Sequence, residues 1–195
     1  MSEFHTLSWS AVAEAYPMVV DDVTPDRIDW HELGERVIDD FTRKAPLQVR
    51  DNTTLGKAET LLKTAKARYA CVLNSNDELI GVVALRDFHS RKAVQLGQQT
   101  HTPWHDVLVS ELMTPLRQLP QVEVSRARRA RIGDLAATLQ ASGRDFIVLH
   151  NDGKVAGLVS SLRIAQLTGE SVNVYHTASS FAEILTAVNH SDTRD

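Results

Sequence analysis

Apolar positions along the chain follow two periods, and the same order of periods occurs twice. The stretch that begins at Leu55 has apolar residues at helical spacing, and so does the stretch that begins at Ile132. Each is followed by two short apolar runs, "YACVL" and "LIGVV" in the first copy and "FIVLH" and "VAGLV" in the second. Each copy is therefore predicted to contain an amphipathic helix and then two strands.

Turn signals separate the two strands of each copy, and a second helical pattern follows them. Asp152-Gly153 is a strong hairpin signal, because glycine readily adopts the positive φ that tight turns require. The period then becomes helical again in "DFHSRKAVQL" and in "SLRIAQL", where Gly169 is suited to end the helix. A unit of helix, strand, strand and helix is too small to cover both faces of its own sheet, so we expect two units to pack together.

Alignment of the chain with itself supports the repeat. "VIDDFT" aligns with "VSELMT", and "TLGKAETLLKTAKARYACVLNSNDELIGVVALRDF" aligns with "RIGDLAATLQASGRDFIVLHNDGKVAGLVSSLRI". This ordered set, over about residues 37–167, resembles a tandem pair of CBS domains, or Bateman module, of the small stand-alone type found in proteobacteria. The resemblance implies an α+β fold in which two α-β-β-α units pack with pseudo-twofold symmetry.

The chain outside the repeats predicts three accessory segments. Residues 1–36 are expected to form an irregular arm packed on the module, and Ser180 and Glu183 have capping-box spacing at the start of a short helix over 180–189. The predicted organisation is an N-terminal arm at 1–36, a first CBS domain at 37–94, a linker at 95–106, a second CBS domain at 107–168, and a C-terminal tail with a short helix at 169–195.

Composition narrows the class of protein. The 195 residues are 43% hydrophobic and carry a net charge of −4, which argues against nucleic-acid binding through bulk basicity. No apolar run approaches the roughly 18 residues needed to cross a bilayer, and no signal-peptide pattern opens the chain. The single cysteine, Cys71, excludes an intrachain disulfide. We expect a cytoplasmic bacterial protein that contacts neither membrane nor nucleic acid.

Motifs typical of enzymes are missing from the sequence. It has no Walker-type loop and no Gly-x-Gly-x-x-Gly, and no histidine lies near Ser160 and Ser161 in sequence. His101 and His105 are four residues apart, but Pro103 between them disfavours the helix that would present both to one metal ion. We therefore expect neither an enzyme nor a metal site.

The resemblance implies a ligand-binding motif at the end of each second strand. In CBS pairs that bind adenosine compounds, this strand leads to a Ser or Thr and, three residues later, an Asp that can accept both hydrogen bonds of a ribose diol. In "ELIGVVALRDF" Asp87 takes the acidic position but Ala84 the hydroxyl position. In "KVAGLVSSLRI" Ser160 takes the hydroxyl position, and Arg163 stands where the aspartate would be. A nucleotide is thus expected to favour the Asp87 half, although helix capping alone would also explain Asp87.

Arginines near these motifs are candidates for binding phosphate, because a guanidinium group matches two phosphate oxygens. The candidates are Arg86, Arg163 and, from the run "RARRAR", Arg131 beside a predicted helix start. The alternative for that run is a solvated loop that offsets an acidic chain.

Three more candidates come from the likeness to CBS pairs. Ala67 and Tyr69 lie where the family holds adenine, and the alternative for Tyr69 is a core aromatic. Thr54 is a candidate for ribose or phosphate, or simply the N-cap of the first helix.

The function implied by the resemblance is regulatory signal transduction. We expect a homodimer that binds AMP, ADP, ATP or S-adenosylmethionine between its halves without transforming it, and that acts on a target protein which the sequence does not identify. No resident cofactor is implied. The alternative is a ligand-free interaction module whose degenerate sites are relics and whose exposed faces dock a partner protein. An enzyme on a CBS-like fold is disfavoured, because no catalytic cluster is visible.

Overall fold

The computed structural model describes residues 27–174, which form two four-stranded sheets with helices packed on them. The strands are β1 (Ile38–Asp40), β2 (Gln48–Arg50), β3 (Tyr69–Leu73), β4 (Leu79–Ala84), β5 (Thr114–Pro115), β6 (Gln121–Glu123), β7 (Phe146–Asn151) and β8 (Lys154–Ser160). One sheet has the order β2-β3-β4-β5 and the other β1-β8-β7-β6.

The helices complete the predicted repeat. They are α1 (Leu55–Thr64), α2 (Arg91–Thr100), α3 (Val109–Leu112), α4 (Val124–Arg129), α5 (Ile132–Ser142) and α6 (Ser161–Thr168). Short 3₁₀ helices lie at Gly34–Val37, Leu85–His89, Trp104–Asp106 and Leu116–Gln118. The orders α1-β3-β4-α2 and α5-β7-β8-α6 confirm the two units of helix, strand, strand and helix, and with them the α+β class.

Backbone conformation confirms two of the predicted turns. Asp152 and Gly153 have φ values of 47° and 73° between β7 and β8, as a tight hairpin turn requires. Gly169 follows α6 with a φ of 76°, which is the left-handed conformation that commonly ends a helix.

Three local predictions need correction. Residues 95–100 are not a linker, because α2 continues to Thr100 and ends at His101 with a φ of 51°. Much of the run "RARRAR" is not a loop but lies on α4. Thr54 is at the N-cap of α1, but its side chain makes no capping bond. The amide of Leu55 instead donates to the carbonyl oxygen of Val107 at 2.8 Å, so another part of the chain satisfies this helix start.

The two units exchange their edge strands. β1 precedes the first unit but pairs antiparallel with β8 of the second, and β5 precedes the second unit but pairs antiparallel with β4 of the first. Each sheet therefore contains strands from both of the predicted domains, so the predicted boundaries at residues 37 and 107 do not coincide with the division between the two sheets.

The core consists of three apolar clusters. Successive side chains along a strand point to opposite faces of its sheet. One face of each sheet packs against the helices of its own unit, around Leu62 in the first unit and Leu139 in the second. The opposite faces meet in a third cluster that joins the sheets, with Cys71 and Val82 from one and Val148 and Leu158 from the other. Burial of this shared cluster holds the two units together.

The described part of the N-terminal arm packs on the second unit. Ile28 is buried in its core, and the indole nitrogen of Trp30 donates to the carboxylate of Glu170 at 3.1 Å. The remainder of the predicted arm and the predicted helix over 180–189 lie outside the described residues.

A glycine at each exchanged edge allows the close approach of the incoming strand. A Cβ at Gly157 would lie 2.6 Å from the carbonyl oxygen of Asp39 on β1, and a Cβ at Gly81 would lie 2.7 Å from that of Thr114 on β5. Real Cβ atoms do not tolerate such distances, so a larger residue would force the edge strand away.

We expect Gly157→Ala to lower the free energy of unfolding by about 1–3 kcal/mol, because the added methyl group overpacks the β1–β8 contact. Gly133→Ala is the matched control, since a Cβ there would lie 3.5 Å from its nearest neighbour, the carbonyl oxygen of Trp30. This control should be neutral or gain up to about 1 kcal/mol from helix propensity. Urea unfolding of both variants measures the difference, and equal stabilities would contradict the proposed role of Gly157.

Candidate functional site

A cavity of about 670 Å³ lies where the exchanged strand β1 meets the α1–β3 connection and α6. Its walls therefore come from both units. Four of the residues singled out in the sequence line it together, namely Ala67, Tyr69, Ser160 and Arg163. We call it the large cavity.

Positive charge dominates the walls of the large cavity. Six basic side chains (Arg43, Lys44, Lys66, Arg68, Arg128, Arg163) line it against three acidic ones (Glu35, Asp39, Asp40). Arg43 and Arg128 both form ion pairs with Asp40, at 3.7 and 2.8 Å. Within residues 27–174, the other four basic side chains form no ion pair. The large cavity thus has a surplus of uncompensated cations.

Arg163 is the most constrained of these cations. Its backbone amide donates to the hydroxyl oxygen of Ser160 at 3.1 Å, so that Ser160 caps α6 and holds Arg163 in the first turn. The Nε atom of Arg163 is shielded from solvent and has no hydrogen-bond partner in the described part of the chain. A partly buried charge without a counterion is unfavourable, so an anion bound to this guanidinium group would be stabilising.

Tyr69 and Asp39 form a polar contact in the wall of the large cavity, where Asp39 contributes negative charge. The Tyr69 hydroxyl donates to the Asp39 carboxylate at 3.0 Å, and its ring packs edge-on against Phe146 with 5.4 Å between ring centres. Burial and the charge of Asp39 both raise the pKa of Tyr69, which keeps the hydroxyl protonated. The backbone amide of Ala67 is already used, since it donates to the carbonyl oxygen of Leu62 at 2.9 Å.

A smaller cavity of about 220 Å³ lies between the two units, and Arg86 lines it together with Tyr69 and Ser160. The Arg86 guanidinium group forms an ion pair with the Asp145 carboxylate of the other unit. Asp145 also accepts a hydrogen bond from the Ser161 hydroxyl at 2.7 Å. The charge of Arg86 is therefore already compensated within the protein.

The two halves differ in charge at equivalent positions. β3 pairs with β4 as β7 pairs with β8, so Arg68 corresponds to Asp145 and Leu162 corresponds to Arg86. Arg86 of the first unit and Asp145 of the second form an ion pair beside the smaller cavity. At the equivalent positions, Arg68 stands in place of the acid and the apolar Leu162 stands in place of the base, so these two residues form no ion pair. This exchange leaves Arg68 available to the large cavity.

Asp87 lines neither cavity. Its carboxylate accepts a hydrogen bond from the backbone amide of Ala84 at 3.3 Å, at the start of the 3₁₀ helix Leu85–His89. Burial is the main cause that raises the pKa of Asp87, and the nearby Asp145 adds to it, while Arg86 opposes both. The capping contact considered for Asp87 is thus present in the structure.

Thr54 and Arg131 also lie away from both cavities. Thr54 stands at the start of α1, and Arg131 stands at the N-cap of α5, where its amide donates to the Asp134 carboxylate at 3.0 Å. The guanidinium group of Arg131 is 3.5 Å from the Nδ1 atom of His31. Neither cavity therefore brings these two residues together with the other candidates.

Several lining residues went unrecognised in the sequence. Lys66 and Arg68 flank Ala67, and Arg128 belongs to the run "RARRAR". Their positive charge and their closeness in sequence to predicted site residues could have identified them. Asp39 had no comparable signal, because only the strand exchange brings it to the second unit.

The described part of the chain shows neither a cluster of metal ligands nor a membrane-spanning helix. It contains no group of three or more His, Cys, Asp or Glu side chains arranged for a metal ion. His101 and His105 lie on separate segments, at the end of α2 and in the 3₁₀ helix Trp104–Asp106. No helix among residues 27–174 is long and apolar enough to span a membrane.

We expect Asp87→Asn to raise the melting temperature slightly at pH 7. Because the pKa of Asp87 is raised, ionisation is less favourable in the folded than in the unfolded chain, and this penalty is present above the folded pKa. The amide oxygen of asparagine can still accept from Ala84. The gain should shrink as the pH falls through the raised pKa and vanish below the ordinary value of 3.8, and it should be small since the side chain is 35% exposed. Melting curves from pH 3 to 7 measure it, and a loss of stability at pH 7 would contradict it.

Comparisons with known proteins agree with this architecture. A family model described as CBS domain matches residues 38–92. An uncharacterized conserved protein from Pyrococcus horikoshii is 17% identical, with a TM-score of 0.54 over 77% of this chain and 100% of its own. A hemolysin-like protein containing a CBS domain from Oenococcus oeni is 14% identical, with a TM-score of 0.51 over 72% of this chain and 93% of its own. The search of curated proteins gave no match. Residues 38–92 thus match the CBS-domain family, and the described chain shares the fold of these solved structures.

Proposed function

We propose that this protein is a regulatory sensor that binds a phosphorylated adenosine compound in the large cavity without transforming it. CBS-domain proteins are generally regulatory modules that bind adenosine ligands. The observation that carries the proposal is the cationic wall of the cavity, where Arg163, Arg68 and two lysines have no acidic partner in the described chain. These side chains would compensate the charge of a phosphate group.

The charge of the cavity also discriminates among adenosine ligands. Guanidinium groups bind phosphate oxygens in pairs, and a concave wall of one sign strengthens the local field. AMP, ADP and ATP are anions and gain from this field. S-adenosylmethionine carries a sulfonium cation, which the same field opposes. We therefore favour the phosphorylated ligands.

The lining of the large cavity supports binding rather than catalysis. Among its described residues there is no histidine or cysteine to act as a base or nucleophile. The hydroxyl oxygen of Ser160 is used to cap α6, and Tyr69 stays protonated. The groups that remain are suited to hold a ligand by charge and hydrogen bonding.

We further propose that the protein works as a cytoplasmic homodimer that transmits the state of the cavity to a target protein. These statements rest on the likeness to other CBS pairs. The alternative is a ligand-free interaction module, and the ion pair of Arg86 with Asp145 favours it for the small cavity, since the charge of Arg86 is already compensated there.

Thermal unfolding with AMP, ADP, ATP and S-adenosylmethionine tests the proposal. A phosphorylated ligand at about a hundred times its dissociation constant should stabilise the fold by about 2.7 kcal/mol, with a smaller shift from S-adenosylmethionine. Arg163→Gln should weaken nucleotide binding by about tenfold or more, which is the usual worth of a hydrogen bond to a charged group. Arg131→Gln is the control, because Arg131 lies outside both cavities.

Two results would overturn the proposed function. If none of the nucleotides shifts the melting temperature of the unaltered protein, the ligand-free interaction module becomes the better account. If Arg131→Gln weakens binding as much as Arg163→Gln does, the ligand does not occupy the large cavity. The unliganded melting temperatures of both variants show whether either substitution simply damages the fold.

A further inference from the structure

Asp39 occupies an unusual position for an acidic residue. It is the middle residue of β1 and pairs with Leu158 of β8, so its backbone belongs to the sheet of the second unit. Its carboxylate contacts Tyr69 of the first unit. Asp39 therefore lies in the wall of the large cavity where the two units meet.

Asp39 keeps acceptor capacity that the neighbouring Asp40 has lost. A carboxylate can accept about four hydrogen bonds. Asp40 accepts from Thr42 at 2.6 Å and is paired with Arg128 and Arg43. The Thr42 hydrogen bond and the Arg128 charge lower the pKa of Asp40, although desolvation opposes them. This is expected for a carboxylate that is already hydrogen-bonded and ion-paired.

The contacts of Asp39 are fewer. Its described side-chain hydrogen bond comes from the Tyr69 hydroxyl at 3.0 Å, and it forms no ion pair with any residue in 27–174. Glu35, the third acid of the cavity, is paired with Arg43 at 3.5 Å. Of the three acids, Asp39 is thus the one without an ion-pair partner among residues 27–174, and its carboxylate has oxygen lone pairs left for a ligand.

The second unit has no acid at the position where the resemblance to CBS pairs places a ribose-binding aspartate. Arg163 stands where an aspartate would accept the hydroxyl groups of a ribose, and a guanidinium group has no acceptor. Arg163 and Asp39 line the same cavity. Arg163 at the start of α6 can bind a phosphate, while Asp39 on the exchanged strand β1 can accept hydrogen bonds from a diol.

We propose that Asp39 accepts the ribose hydroxyl groups of a nucleotide in the large cavity, so that the site selects a ribonucleotide over its deoxy analogues. Tyr69 orients the carboxylate through its hydrogen bond, and the phosphate groups bind the cationic wall that includes Arg163, Arg68 and Lys66. This inference rests on the proposed function, because it assigns one residue of the same site a part in ligand selection.

Competition between ribose and deoxyribose forms tests the inference directly. Calorimetric titration should show that the unaltered protein binds ATP at least about tenfold more tightly than 2′,3′-dideoxy-ATP, because a site built to hydrogen-bond hydroxyl groups rejects a ligand that lacks them. In Asp39→Asn this ratio should fall towards one, since the amide has a single acceptor oxygen. That oxygen can still accept from Tyr69, so the fold should be retained.

Asp40→Asn is the matched control, because it changes the neighbouring acid of the same strand and cavity. It should keep the ratio between ATP and dideoxy-ATP, whatever happens to the absolute affinity through Arg128. A ratio near one in the unaltered protein, or a ratio that Asp39→Asn leaves unchanged, overturns the role of Asp39 while the proposed function stands. Failure of AMP, ADP and ATP alike to bind the unaltered protein overturns both.

Discussion

The exchange of edge strands between the two sheets is the constraint on which the rest of the structure depends. β1 can lie against β8, and β5 against β4, because Gly157 and Gly81 leave room for a neighbouring backbone. The exchange ties each unit to the sheet of the other. It also carries Asp39 into the wall that contains Arg163, so the chemical character of the large cavity follows from a backbone contact.

Charge at equivalent positions then makes the halves unequal. Arg86 forms an ion pair with Asp145 of the other unit, so this half-exposed cation already has a counterion within the protein. Arg163 has no such partner in the described chain. A phosphate bound beside Arg163 would supply the counterion that this partly buried group lacks, so its binding would stabilise the fold. The same residue thereby connects the stability of the fold with occupancy of the cavity.

The periodic elements could be predicted from the sequence, because their signals are local. Helices α1 and α5, the strand hairpins and the turn at Asp152-Gly153 all follow from spacing and turn chemistry. The large cavity was partly foreseen through Tyr69, Ser160 and Arg163. The exchanged strands were not, because β1 and β5 have only three and two residues and so carry no periodic signal.

The roles of single charges were harder to predict for a related reason. A charged residue acquires its function from partners that are distant in sequence, as Arg128 does from Asp40. Asp87 matches a motif, yet it lines neither cavity, because its carboxylate turns back to the amide of Ala84. Motif matching identified the residue type, whereas the packing of the two units determined which residues share a cavity.

The central claim is that the large cavity binds an anionic ligand through cations that have no acidic partner in the described chain, whereas Arg86 is already paired with Asp145. The stoichiometry of ATP binding, measured by isothermal titration calorimetry on the full chain, tests this claim most directly. One ATP per chain is the expected result, because Arg86 is already paired with Asp145, whereas Arg163 has no partner in the described chain. Two ATP molecules per chain would show that the halves are equivalent in function, and an absence of binding heat with AMP, ADP and ATP alike at every temperature tried would contradict a nucleotide site altogether.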